Sequence, residues 1–141
     1  MDSFQLSRIL GLDFGERRIG LALSDPIHII AKPYKTISYS NYQNLLIKIK
    51  NIILDEEIEK IVLGLPLNMK GDKSNQTNLV LEFSEFIKNN LDIPVDMQDE
   101  RLSTVSAKKS LIAQKVKTGH NKDRIDETAA AIFLQHYLDQ N

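Results

Sequence analysis

The run Arg8-Ile9-Leu10-Gly11-Leu12-Asp13-Phe14 constrains this chain more than any other segment. Apart from Arg8 and Asp13 it is apolar, and it does not alternate with polar residues. A strand with one wet face alternates, so an unbroken run predicts a strand covered on both faces. Gly15-Glu16-Arg17-Arg18 then reads as a hairpin turn. The return strand, Ile19-Gly20-Leu21-Ala22-Leu23-Ser24, alternates large with small residues, so something approaches one face of this hairpin closely. A third extended stretch, from about Ile27 to Ser38, contains Pro33. A proline cannot donate to a ladder, which makes this an edge strand.

Beyond the hairpin the pattern changes period. Ser40 or Asn41 can cap a first helix, with Leu45, Leu46, Ile49, Ile52 and Ile53 as its apolar stripe. Lys60-Ile61-Val62-Leu63-Gly64-Leu65 reads as a buried parallel strand that Pro66 ends. A polar loop with Gly71 follows. A second helix is expected from about Gln76, with Leu79, Phe83, Phe86 and Ile87 inward. A fifth strand is expected over Asp92 to Gln98, breaking at Asp99-Glu100-Arg101. Ser103 can cap a third helix that runs past Leu111 and Ile112. A basic loop spans Lys115 to Lys122, and a last helix runs from near Asp123 to about Leu138. The order β-β-β-α-β-α-β-α-α predicts an α/β fold. Its five-stranded mixed sheet would be a three-strand antiparallel meander plus two parallel strands, with helices on both faces. The 141 residues suit a single domain, usually roughly 100–200 residues. Ligands of such sheets bind beyond the carboxyl ends of the parallel strands.

Composition excludes several classes. There is no cysteine, which rules out disulfides and thiolate metal sites. No apolar run approaches the roughly 20 residues of a membrane span, and Met1-Asp2-Ser3-Phe4 does not open a secretory signal. A cytoplasmic chain without membrane attachment is expected. The net charge of −1 leaves nucleic-acid binding open, because the placement of the charges matters more than their sum.

The acids carry the sharper signal. Asp13 interrupts an apolar strand, where a carboxylate loses hydration and must be paired or bound to a metal. Glu100 and Asp99 end the fifth strand, and Asp126 lies in the first turn of the last helix. Singly, each has an ordinary explanation: a strand-end turn bond, a loop ion pair, a favourable helix-dipole position. Together they fall at one end of the predicted sheet. Converging oxygen ligands suit hard Mg²⁺ or Mn²⁺. Two such ions serve phosphodiester cleavage. The run Ala129-Ala130-Ala131 would let the last helix approach the sheet and bring Asp126 towards Asp13. Basic residues surround these acids: Arg17 and Arg18, Lys70 and Lys73, Arg101, and Lys115, Lys117, Lys122 and Arg124. Contacts of this kind hold phosphates without reading sequence. With no cysteine and no Ser–His pair near the acids, attack by water is expected rather than by a protein nucleophile, leaving a 5′-phosphate and a 3′-hydroxyl.

Four segments carry a resemblance. Gly11 to Asp25 resembles the opening motif of the YqgF family, also called RuvX. Gly64-Leu65-Pro66-Leu67-Asn68-Met69-Lys70-Gly71 looks like its second motif, Asp99-Glu100-Arg101-Leu102-Ser103-Thr104 like its third, and Ile125-Asp126-Glu127-Thr128-Ala129-Ala130 like its fourth. They occur in the family's order and span nearly the whole chain. The resemblance implies an RNase H-like fold, related to Holliday-junction resolvases. It also implies a nuclease that matures the 5′ end of pre-16S rRNA, acting on RNA in a pre-ribosomal particle. Asp13 and Asp126 match the outer acids of that active site, and Glu100 the third-motif acid, with Asp99 as the alternative. The wider resolvase pattern puts an acid after the fourth strand, where this chain has Leu65-Pro66-Leu67-Asn68.

Three other readings compete. A junction resolvase would cut branched DNA, usually as a two-fold dimer; here a monomer or weak homodimer is expected. An actin-like phosphate-binding domain shares the Asp-x-Gly turn but needs a second such domain. A non-catalytic RNA-binding assembly factor would keep the basic residues without needing the acids.

Overall fold

The computed structural model describes residues 7–67, 70, 72–100 and 122–140. Its five strands are β1 (Arg8–Phe14), β2 (Arg18–Ser24), β3 (Ala31–Ser38), β4 (Ile58–Leu65) and β5 (Val95–Asp99). Among the described residues the helices are α1 (Tyr42–Asp55), α2 (Asn75–Asn90) and α3 (Lys122–Gln140). The helix expected after Ser103 lies outside the described residues.

The strands form one sheet in the order β3-β2-β1-β4-β5. β1, β2 and β3 make the antiparallel meander, and β4 and β5 add in parallel. β1 is central, which is why its sequence is apolar on both sides. Its even residues, Leu10, Leu12 and Phe14, pack into the core beneath α1 and α2. Its odd residues face α3: Ile9 belongs to the second core with Val62, Phe133 and Leu134. Phe14 anchors the strand end on the first face by stacking on Phe83, ring centroids 4.4 Å apart.

The helices start where side chains satisfy their orphan amides. Asn41, not Ser40, caps α1: its side chain accepts from the Asn44 amide at 2.8 Å. Ser74 and Thr77 form a capping box on α2, and the Thr77 hydroxyl also donates to the Pro66 carbonyl. Beyond the expected Phe83 and Ile87, α2 buries Thr77, Val80 and Ser84, whereas Leu79 and Phe86 are partly covered.

Two boundaries differ from the sequence reading. β3 begins at Ala31 rather than Ile27, because Asp25 closes a turn over the intervening residues. The Asp25 amide donates to the Ile30 carbonyl at 3.0 Å, and one carboxylate oxygen accepts from the Ile29 and Ile30 amides, both at 2.7 Å. β5 begins at Val95 rather than Asp92. Pro94 has no amide proton to donate, but its carbonyl accepts from Ile61 at 3.0 Å and opens the ladder. Asp99 is the last strand residue, paired with Leu65. Pro33 lies on the edge strand as expected, at a register shift that absorbs it.

α3 lies flat on the sheet because the sheet is bare beneath it. A Cβ at Gly11 would meet the Leu134 Cβ at 3.2 Å, and one at Gly64 would meet the Phe133 ring at 2.6 Å. The helix runs antiparallel to β1. Ala130 sits over Gly11, while the Tyr137 hydroxyl donates to Asp96 near the start of β5, at 2.5 Å. The N-terminal end of α3 therefore reaches the carboxyl ends of β1, β4 and β5. No helix among the described residues is long and apolar enough to cross a membrane.

Candidate active site

Where β1 and β4 separate, a cleft of about 610 Å³ opens at the carboxyl ends of the parallel strands. Asp13, Glu16, Arg17, Arg18, Gln76 and Glu100 supply its polar walls. Asp13 is 9% exposed and Glu100 6%, so both carboxylates are buried at the cleft rather than splayed into solvent. Alternation explains the first. Gly11 faces α3, so Asp13, two residues on, faces the same way. In β5, Asp96 meets Tyr137 of α3, so Gln98 and then Glu100 follow on that face, and both are buried. Asp99 has the opposite parity, sharing it with Val95 and Met97, which pack toward the first core. It does not line the cleft.

Gly64 of β4 lies between the two acids: Leu12 pairs with Leu63, and Gly64 pairs with Gln98. Two inter-strand spacings, about 10 Å, thus separate the backbones of Asp13 and Gln98. No β4 side chain stands between them.

The hairpin turn brings Arg17 and Arg18 to the cleft, as the sequence suggested. Lys70 and Lys73 are exposed on the loop after β4, outside the cleft lining. Arg101, Lys115 and Lys117 lie outside the described residues. Positions 122, 124 and 126 fall in the first turns of α3, but the side chains of Lys122, Arg124 and Asp126 are outside what is described. Among the described residues, no three His, Asp or Glu side chains converge for a metal ion; the described acids at the cleft floor are a pair.

Two cleft residues were not singled out from sequence. Glu16 is exposed at the rim. Gln76 reaches from α2, and its amide donates to the Phe14 carbonyl at 3.1 Å. The signal for Gln76 was its place two residues after the Ser74 cap, on a helix starting at the sheet's carboxyl end. On the other side of the turn, the Tyr39 hydroxyl donates to the Gly15 carbonyl at 2.5 Å. Burial above all, then Tyr42 and Glu16, push the Tyr39 phenol up to about 12, so it remains a donor at neutral pH. His28, expected to be structural, contacts the Ser7 carbonyl at 2.8 Å and Glu59 at 2.9 Å, away from the cleft.

Comparison with known proteins adds three findings. Residues 7–140 match the family described as "RuvX: Holliday junction resolvase". A protein of Roseiflexus sp. (strain RS-1), named "Putative pre-16S rRNA nuclease", is 43% identical over 137 residues, covering 97% of each chain. One of the same name from Clostridium tetani (strain Massachusetts / E88) is 43% identical over 132 residues, 94% of this chain and 96% of that one. In structure, the chain resembles T. thermophilus RuvC in complex with Holliday junction substrate. The TM-score is 0.57 at 13% identity, over 95% of this chain and 94% of that one. The yeast mitochondrial Holliday junction resolvase gives 0.52 at 11% identity, over 96% and 79%. At such identities the likeness speaks to the fold, and it agrees with the RNase H-like sheet expected from the strand order.

Proposed function

The chain belongs to the RuvX family, and on that footing we propose that the cleft is the active site of a nuclease, a phosphodiester-cleaving hydrolase whose catalytic carboxylates are Asp13, Glu100 and Asp126. One observation carries this reading. Two carboxylates from distant parts of the chain are buried together in one cleft, at the sheet end where ligands of such folds bind. Burying two like charges is costly unless cations or strong hydrogen bonds compensate them.

Glu100 rather than Asp99 is the third-motif acid in this proposal, because it lines the cleft and Asp99 has the opposite parity. The backbone supports Asp126 as the third. Ala130 sits over Gly11, and position 126 lies one turn earlier on the same stripe, about 6 Å along the helix. Asp13 lies two strand residues beyond Gly11, about 7 Å in the same direction.

The donor set fits a hard divalent cation such as Mg²⁺ or Mn²⁺: carboxylate oxygens without thiolates, in a polar cleft. Bound, such ions neutralise charge on a phosphodiester and help activate water. Asp13, Glu100 and Asp126 would hold them. Arg17 and Arg18 would take the phosphates flanking the cut, with Lys70, Lys73, Arg101, Lys115, Lys117, Lys122 and Arg124 extending the track. Among the described cleft residues, carboxylates are the only groups that could form a covalent intermediate. Water is the simpler nucleophile, and the products would carry 5′-phosphate and 3′-hydroxyl ends.

The substrate we favour is the 5′ end of precursor 16S rRNA, in keeping with the names of relatives that match over almost the whole chain. Branched DNA is the second reading, favoured by the family's description and by the resolvase fold. Precursor rRNA and four-way DNA junctions, each incubated with the protein and Mg²⁺ or Mn²⁺, separate the two. Asp13→Asn should abolish cleavage and leave the fold intact. If the variant cuts as fast as the parent, the carboxylate assignment is wrong.

A further inference from the structure

The backbone next to Asp13 is held by side chains rather than by the sheet. The β1–β4 ladder stops at Leu12 and Leu63, and Pro66 has no amide proton to continue it. Strand β1 nevertheless goes on to Phe14 on its other edge, where Phe14 pairs with Ile19. On the open edge, Gln76 donates to the Phe14 carbonyl at 3.1 Å, and Tyr39 donates to the next carbonyl, Gly15, at 2.5 Å. The first donor comes from α2 and the second from just beyond β3, so two separate elements grip consecutive peptide groups. Both partners are themselves anchored. Gln76 follows the Ser74–Thr77 capping box, and the Tyr39 amide donates to the Arg17 carbonyl at 3.2 Å.

We propose that Gln76 and Tyr39 are positioning residues that clamp the two peptide groups after Asp13 and so hold its carboxylate in the orientation the cleft requires. This rests on the reading of Asp13 as a cation ligand. The physical reason is local. A strand end without ladder bonds is free to twist about its last dihedrals. A side chain one residue upstream then samples many directions, and a site must be held within about 0.5 Å to work well. Replacing the missing ladder bonds by two fixed donors removes that freedom. Neither residue is asked to touch substrate.

The test uses Mn²⁺ binding to the nucleic-acid-free protein, read by electron paramagnetic resonance, beside steady-state cleavage. Three variants are compared with the parent: Gln76→Met, Tyr39→Phe and Asp13→Asn. Each clamp variant deletes one hydrogen bond and little volume, so Mn²⁺ affinity should fall about three- to tenfold. kcat should fall with it, and KM for the nucleic acid should stay within about twofold. Tyr39→Phe keeps the ring and its packing, so it remains informative if Gln76→Met folds poorly. Parent-like Mn²⁺ affinity in both clamp variants overturns the proposal. So does a raised KM with unchanged Mn²⁺ affinity, which would make Gln76 or Tyr39 a substrate contact. Asp13→Asn isolates the underlying reading: if it binds Mn²⁺ as the parent does, Asp13 is not a ligand, whatever the clamp variants show.

Discussion

Gly64→Ala is the most informative single perturbation of this fold. Gly64 faces α3, and a Cβ there would stand 2.6 Å from one carbon of the Phe133 ring and 3.0 Å from two more. Comfortable carbon–carbon contact is about 3.5–4 Å, so ring and strand must part by about 1 Å. Phe133 is fully buried, so the ring cannot swing into solvent. Overpacking of this kind costs about 1–3 kcal/mol. For a chain of this length each kcal/mol lowers Tm by about 3–4 °C, so a fall of about 3–12 °C is expected. Gly11→Ala should cost less, since its nearest neighbour would be at 3.2 Å and needs to give only a few tenths of an ångström. Thermal and urea unfolding of both variants measure the order. The decisive comparison is the double variant Gly64→Ala with Phe133→Leu. Shortening the ring makes room for the new methyl, so the pair should destabilise by clearly less than the sum of the singles. Strict additivity, or a Gly64→Ala protein as stable as the parent, would refute the view that bare strand backbone sets how closely α3 lies. Gly64→Ala should also slow cleavage, because α3 carries position 126.

Three further outcomes are expected. Asn41→Ala removes the α1 cap bond and should cost about 1 kcal/mol in urea unfolding. The Asp25 carboxyl is held below its ordinary value of 3.8, first by the Ile30 amide, with the Ile29 amide adding to it against some desolvation. A depressed folded value means the turn's stabilisation is present above the unfolded value and is lost as pH falls through the folded one. Amide exchange at Ile29 and Ile30 should therefore accelerate below about pH 4 relative to the rest of the sheet. Arg17→Ala should weaken nucleic-acid binding across sequences and reduce the slope of log affinity against log salt by about one, measured by fluorescence anisotropy.

Much of the fold was legible in the residues. The bounds of β1 follow from its unbroken apolar run, and Pro33 marked the edge strand because a missing donor cannot be hidden inside a sheet. The boundary errors came from turns. Asp25 folds Ile27 to Ile30 into a loop whose composition looks extended, because one carboxylate oxygen accepts two amides at once. Asp92-Ile93-Pro94 looked like strand, yet pairing starts only at the Pro94 carbonyl. In the site, Asp13 was marked by its own setting, a charge in an apolar strand. Glu100 could not be separated from Asp99 until strand parity was known, and Gln76 carried no signal beyond its place after a helix cap.

The order of apolar runs, their periods and the punctuation by proline and capping residues settle which segments become strands and helices, since those are properties of each stretch taken alone. What they leave open is mutual position. That Asp13 and Glu100 share one cleft depends on β4 lying between their strands, on Gly64 presenting no side chain there, and on the direction in which α3 crosses. Such facts join residues far apart along the chain, and packing decides them when the two faces of the sheet are covered.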